Sequence, residues 1–169
     1  MLIYAALLSG HWLGDHWIQT NTQVANKGAS GACGRRACAA HVATLTACQA
    51  VMLALVAVSE GGVGGPVQVV LGLTVNAVTH YWADRRRPLE GLAWVLQRYG
   101  KHDYYASGEQ SRIALDQAWH MGWLLPAALI ISADLVGAVL LTVLCLALLV
   151  LADQLSRVGW LEAQRAARS

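Results

Sequence analysis

Four stretches of this chain contain no Asp, Glu, Lys or Arg: residues 37–59, 61–83, 117–133 and 135–152, each 17 to 23 residues long. An α-helix crosses the hydrocarbon core of a bilayer in about 20 residues, so each window is predicted to be a membrane-spanning helix. Composition agrees, with 56% hydrophobic and only 13% charged residues in a 169-residue chain, outside the soluble range. A fifth span is expected at residues 1–18 despite His11, Asp15 and His16. No Lys or Arg precedes Lys27, so the basic start of a signal peptide is missing and the segment is expected to stay in the bundle.

The twelve basic residues set the orientation. Lys27, Arg35 and Arg36 follow the first span. Arg85, Arg86, Arg87, Arg98, Lys101 and Arg112 separate the third from the fourth, and Arg157, Arg165 and Arg168 follow the fifth. The other two loops carry none, so the positive-inside rule predicts an N-terminus outside, a cytoplasmic C-terminus and a bacterial inner-membrane location. A net charge of +2 gives no reason to expect a nucleic-acid partner. The expected partner is the lipid bilayer; oligomeric state is not legible.

The predicted fold is all-α: a polytopic membrane bundle of five transmembrane helices plus a short interfacial helix. Residues 1–156 form the bundle and 157–169 a basic cytoplasmic tail. Helix one is expected over 2–26, followed by a flexible turn at 28–34. Helices two and three run to about 59 and from 67 to 84, the latter stopped by the arginines before Pro88. Leu89, Leu92, Ala93, Leu96 and Tyr99 recur at helical spacing, which predicts the interfacial segment. Residues 101–110 read as a loop and 111–131 as a helix with Pro126 inside it. Cys33 and Cys38 fall on the reducing side, and Cys48 and Cys145 are expected to pack as small apolar groups. Several tryptophans near span ends, Trp17, Trp82 and Trp160, are expected in an interfacial belt.

A histidine and an aspartate four residues apart occur three times: His11 with Asp15, His80 with Asp84 and, reversed, Asp116 with His120. This spacing stacks both side chains on one helix face. His41 stands alone near the start of helix two. In the topology fixed by Lys and Arg, all seven residues lie at a similar depth near the cytoplasmic side. An aspartate at a helix centre costs about 2.5–3.5 kcal/mol to insert, so three cost up to roughly 8–10. Bound metal offsets such a cost, since structural zinc supplies on the order of 10–16 kcal/mol. Imidazole and carboxylate suit zinc, manganese or iron. Two divalent ions with a bridging hydroxide would neutralise three aspartates, and this charge count favours two ions, zinc first. Alternatives are polar contacts that join helices and a proton or ion path.

Gln19 extends the His11 and Asp15 stripe and Asn76 that of His80; with Gln117 they are candidates to orient the ligands from outside, and plain interhelical contacts are the equal alternative for Gln19 and Asn76. Arg85, Arg86 and Arg87 are candidates for an anionic headgroup or phosphate, or serve as topology anchors. Asp153 is expected to pair with Arg157, and His102 and Asp103 to be solvated.

The segments HWLGDHWIQ (11–19), HYWADRRR (80–87) and DQAWH (116–120), with the isolated His41, resemble a family of small bacterial and phage integral membrane proteins of unknown function. That family is distantly similar to inner-membrane proteins inferred to be metal-dependent hydrolases. Its patterns H-x-x-x-D-aromatic-x-x-Q, H-x-x-x-D and D-Q-x-x-H place His11, Asp15, Gln19, His80, Asp84, Asp116, Gln117 and His120 in register. His16 stands where an aromatic is usual, which makes it a packing residue. The resemblance implies a metal-dependent hydrolase acting on a phosphoester or lipid-like substrate. Competing classes are an ion, proton or metal transporter, a di-iron oxidoreductase, disfavoured because every glutamate falls outside the spans, and a structural or phage membrane protein.

Overall fold

The computed structural model describes residues 1–166, and these form helices with no strand among them. Helix α1 (Leu2–Leu13) passes into a π-helical turn (Gly14–Ile18) and then α2 (Asn21–Asn26). The long helices are α3 (Gly31–Glu60), α4 (Pro66–Asp84), α7 (Glu109–Ser132) and α8 (Leu135–Ala166), and the short ones α5 (Arg87–Val95) and α6 (Lys101–Ala106). Two of them, α3 and α8, are long and apolar enough to cross a membrane.

Helix one is not the continuous helix expected. The Gln19 N–H reaches back five residues to the Gly14 carbonyl at 3.0 Å, the bond that defines a π turn. The chain then extends at Gln19 and restarts at Thr20. Its hydroxyl accepts from the Gln23 N–H at 3.2 Å while the Gln23 side chain accepts from the Thr20 N–H at 2.8 Å. This reciprocal capping box, T-x-x-Q, is strong enough to start a new helix. The expected turn at 28–34 is also shorter, because α3 begins at Gly31. Within the expected loop 101–110 lies helix α6.

Helices α1, α3, α4 and α7 each contact the next, and α7 returns to α1, closing a ring; α8 lies outside against α4 and α7. Close approach of α1 to α3 depends on Gly10 and Gly14. A Cβ at either would come within 2.6 Å of the Gln49 Cα or 2.9 Å of the Leu45 Cα, the small-residue packing typical of helices in lipid. The expected tail is helical as far as it is described, since α8 continues through residue 166. There Ser156 and Gly159 pack against Gly91 of α5; Arg168 lies outside the described residues. Trp82, expected in a lipid-facing belt, is buried, stacked on Trp119 at 4.5 Å. Its indole N–H donates to Asp153 at 3.0 Å, and Asp153 also accepts from Arg157 at 2.7 Å, the pair expected.

Candidate metal centre

The ring of four helices encloses the His/Asp residues. α1 contributes His11, the π turn Asp15, α3 His41, α4 His80 and Asp84, and α7 Asp116 and His120. All seven candidate ligands meet, in three overlapping groups: His11, Asp15 and His80; His41, His80 and Asp84; Asp84, Asp116 and His120. Within each group one ligand atom per residue lies within 4.8 Å of the others.

The ε nitrogens carry the convergence. His41 Nε2 is 3.1 Å from His80 Nε2, 3.0 Å from Asp15 Oδ1 and 3.3 Å from Asp84 Oδ2. His80 Nε2 is 3.3 Å from Asp84 Oδ2, and His11 Nε2 is 3.3 Å from Asp15 Oδ2. His120 Nε2 lies 3.5 Å from Asp116 Oδ2 and 3.8 Å from Asp84 Oδ1, and its ring stacks on His80 with centroids 3.9 Å apart. Tetrahedral zinc with ligands at about 2.1 Å holds them about 3.4 Å from one another, the spacing seen here. Hydrogen bonding alone does not satisfy the set: His120 Nε2 is buried with no hydrogen-bond partner. Its nearest polar neighbours are the Asp116 and Asp84 oxygens at 3.5 and 3.8 Å, a set of donors that a cation could bridge. The residues therefore fit a divalent metal; identity and number do not follow from the donor set.

Gln19 reaches the centre because the π turn folds it back. With its amide oxygen turned inward it accepts from Lys27 Nζ at 3.0 Å and from His41 Nδ1 at 3.0 Å, while its nitrogen donates to the Asp15 carbonyl at 3.2 Å. Gln117 lies 3.5 Å from both His11 Nε2 and Asp15 Oδ2, linking α7 to α1. Asn76 is not beside the imidazoles in the way expected. Its amide donates to Gln49 at 2.8 Å, and Gln49 donates to the Leu7 carbonyl at 3.2 Å, a separate clamp joining α4, α3 and α1. His16 is exposed and stacked on Trp12 at 4.7 Å, away from the cluster. Asp103 is solvated, and His102 packs edge-on against Trp94.

Sequence reasoning missed Lys27 as part of the site. Its ammonium lies 2.8 Å from Asp84 Oδ1. In an unbroken helix it would stand about 18 Å along the axis from Asp15; the break at residues 19–20 returns it. The T-x-x-Q capping signature at Thr20 was the available signal. Of the arginine run, Arg85 is committed to structure, donating to the Lys27 and Ala29 carbonyls at 2.5 Å each. Arg87 lies over Trp160, 5.4 Å from the ring centroid.

A cavity of about 500 Å³ opens onto this centre. Asp84 and Asp116 line it, together with Lys27, Gln19 and Arg86. Across it stand Arg112, Tyr105 and Glu109, with Val24, Leu89 and Ile113 as apolar walls. Asp116 is the most open of the three candidate-ligand carboxylates, its side chain 30% exposed. No family model matches this chain, and no curated protein or solved structure matches it.

Proposed function

We propose that this chain is a five-span inner-membrane protein that holds a divalent cation, zinc by preference, and hydrolyses a phosphoester or lipid-like substrate entering from the cytoplasmic side. The observation that carries the reading is the convergence of four imidazoles and three carboxylates from four helical segments, with Asp84 and Asp116 opening onto a cavity lined by Lys27, Arg86 and Arg112. The inverted distribution of polarity supports the membrane part. His11, His41, Gln49, Asn76, His80 and Asp84 are buried, while Leu2, Leu55, Val70, Leu129 and Val143 on the five principal helices are exposed. Helix α1 falls short of a full span because the π turn interrupts it, although the apolar run continues to Ile18.

Lys27 changes the charge balance. Three carboxylates and one ammonium leave two negative charges, which one divalent ion neutralises; the count therefore favours one ion rather than two. A bound ion would lower the pKa of a water and polarise the attacked oxygen. His11, His41 and His80, with Asp15 and Asp84, are the residues to hold it, His120 and Asp116 completing the set on the cavity side. Asp116, reached from the cavity, is placed to accept a proton from an incoming water; Lys27 faces the same space and can neutralise charge growing on a substrate oxygen. In hydrolysis the water oxygen bonds to phosphorus as the ester oxygen departs and takes up a proton.

The test is metal analysis of detergent-purified full-length protein. About one divalent ion per chain is expected, lost in His80→Ala with His120→Ala, while circular dichroism retains the helices. Wild-type protein that purifies folded but without metal, or metal retained in the double variant, overturns the reading. A second reading, ion or proton transport, is favoured by one observation, the buried Lys27–Asp84 pair, since intramembrane ion pairs mark transport pathways. It requires flux in proteoliposomes that stops with Asp84→Asn.

A further inference from the structure

The cavity beside the centre carries two guanidinium groups that hydrolytic chemistry at the His/Asp cluster does not use. Arg86 and Arg112 both line it. Neither lies within salt-bridge distance of a carboxylate among the described residues, in contrast to Arg157 with Asp153 at 2.7 Å and Lys27 with Asp84 at 2.8 Å. Each is instead steadied by a backbone carbonyl, Arg86 donating to Val24 at 3.2 Å and Arg112 to Tyr105 at 3.3 Å. Those single bonds leave the remaining N–H groups of each fork free for a ligand.

Arg86 also sits in a conformation unfavourable for its type. Its φ is 62°, the one positive value among the described non-glycine residues, backbone that a side chain disfavours and glycine adopts freely. The sequence places an arginine there, and its stem packs where a Cβ on Gly28 would meet it at 2.6 Å. Backbone strain at the edge of a site is accepted where the side chain is needed. Tyr105 also lines the cavity; burial pushes its phenol above the ordinary range, so the hydroxyl remains a donor. Glu109 is the one carboxylate lining the cavity that belongs to no ligand group.

We propose that Arg86 and Arg112 form an anion subsite that grips the phosphate of an amphiphilic substrate beside the His/Asp centre, with Val24, Leu89 and Ile113 accepting its apolar part. Guanidinium forks match phosphate oxygens with paired hydrogen bonds. The assignment rests on the hydrolytic reading of the neighbouring centre and adds the class of group it acts beside. A lipid headgroup and a soluble phosphate ester present the same chemistry.

The test titrates full-length protein in detergent with inorganic phosphate, followed by phosphorus NMR line broadening. A second arm compares nanodiscs containing phosphatidic acid with nanodiscs of phosphatidylcholine, and metal is quantified in every sample. Saturable binding is expected to weaken at least about tenfold in Arg86→Gly and in Arg112→Gln, and to return in Arg86→Lys, with metal content unchanged. Arg86→Gly removes the positive-φ strain and is expected to keep its thermal midpoint, so lost binding is not lost folding. Binding confined to one arm supports the subsite and names its source, soluble phosphate or lipid headgroup. Binding that survives both arginine variants but disappears on metal stripping, or none in either arm, overturns the subsite and leaves the metal reading intact. Arginine-dependent binding in protein that holds no metal supports the subsite and overturns the hydrolytic reading instead.

Discussion

Two buried polar clusters lie within the same ring of helices and are built on opposite rules. In the Gln49–Asn76 clamp every contact is complementary, amide N–H to amide oxygen at 2.8 Å and amide N–H to backbone carbonyl at 3.2 Å. In the His/Asp cluster, two imidazole nitrogens face each other at 3.1 Å, and His120 Nε2 makes no hydrogen bond and has carboxylate oxygens only at 3.5 and 3.8 Å. Pairing donor with acceptor joins helices and needs nothing further. Gathering imidazole nitrogens and carboxylate oxygens at one point concentrates electron-pair donors, an arrangement that a cation could bridge.

The contrast is broken most severely at His80, which belongs to two of the three ligand groups. His80→Ala is expected to weaken metal retention by about a hundredfold or more, read by plasma mass spectrometry after dialysis. Chelation should likewise lower the melting temperature of wild-type protein, and by as much in Asn76→Ala, because the clamp holds no ion; a clamp variant indifferent to chelator would merge the two clusters. Leaving Gln49 unpaired in Asn76→Leu is expected to cost about 1–3 kcal/mol of stability with metal content unchanged, measured by denaturation in mixed micelles. Lys27→Met removes the ammonium beside Asp84 and is expected to raise the stoichiometry from about one ion toward two; an unchanged value would show that charge balance does not set the number. His16→Ala, outside both clusters, should move stability by no more than about 0.5 kcal/mol.

The main helices were legible because the constraint is one-dimensional: runs without charge mark the apolar centres of α3, α4, α7 and α8, though not all of their ends. The seven His/Asp residues were legible as well: i, i+4 spacing gives six of them shared faces, and the depth expected from the basic loops added His41. What escaped is what depends on one hydrogen bond or on tertiary approach. A single i to i+5 bond at Gly14 turned the end of helix one inward, bringing Gln19 and Lys27 to the centre. Residues 157–166 read as a tail from their charges, yet α8 continues there because Gly91 and Gly159 let α5 pack against it. Asn76 lay on the right face, one turn before His80, but Gln49 across the interface claimed it. The three arginines looked equivalent in sequence; the carbonyls that bind Arg85 and the indole beneath Arg87 set Arg86 apart.

Closure of the four-helix ring by α7 also imposes an order in time. A chain emerging from its N-terminus has produced His11, Asp15, His41, His80 and Asp84 well before residues 116–120 exist, so the newborn protein exposes a half-built chelating wall. Were an ion to bind there, its capture would be linked to the arrival of the last wall, and a pause in translation between α4 and α7 would prolong the interval in which that wall stands open.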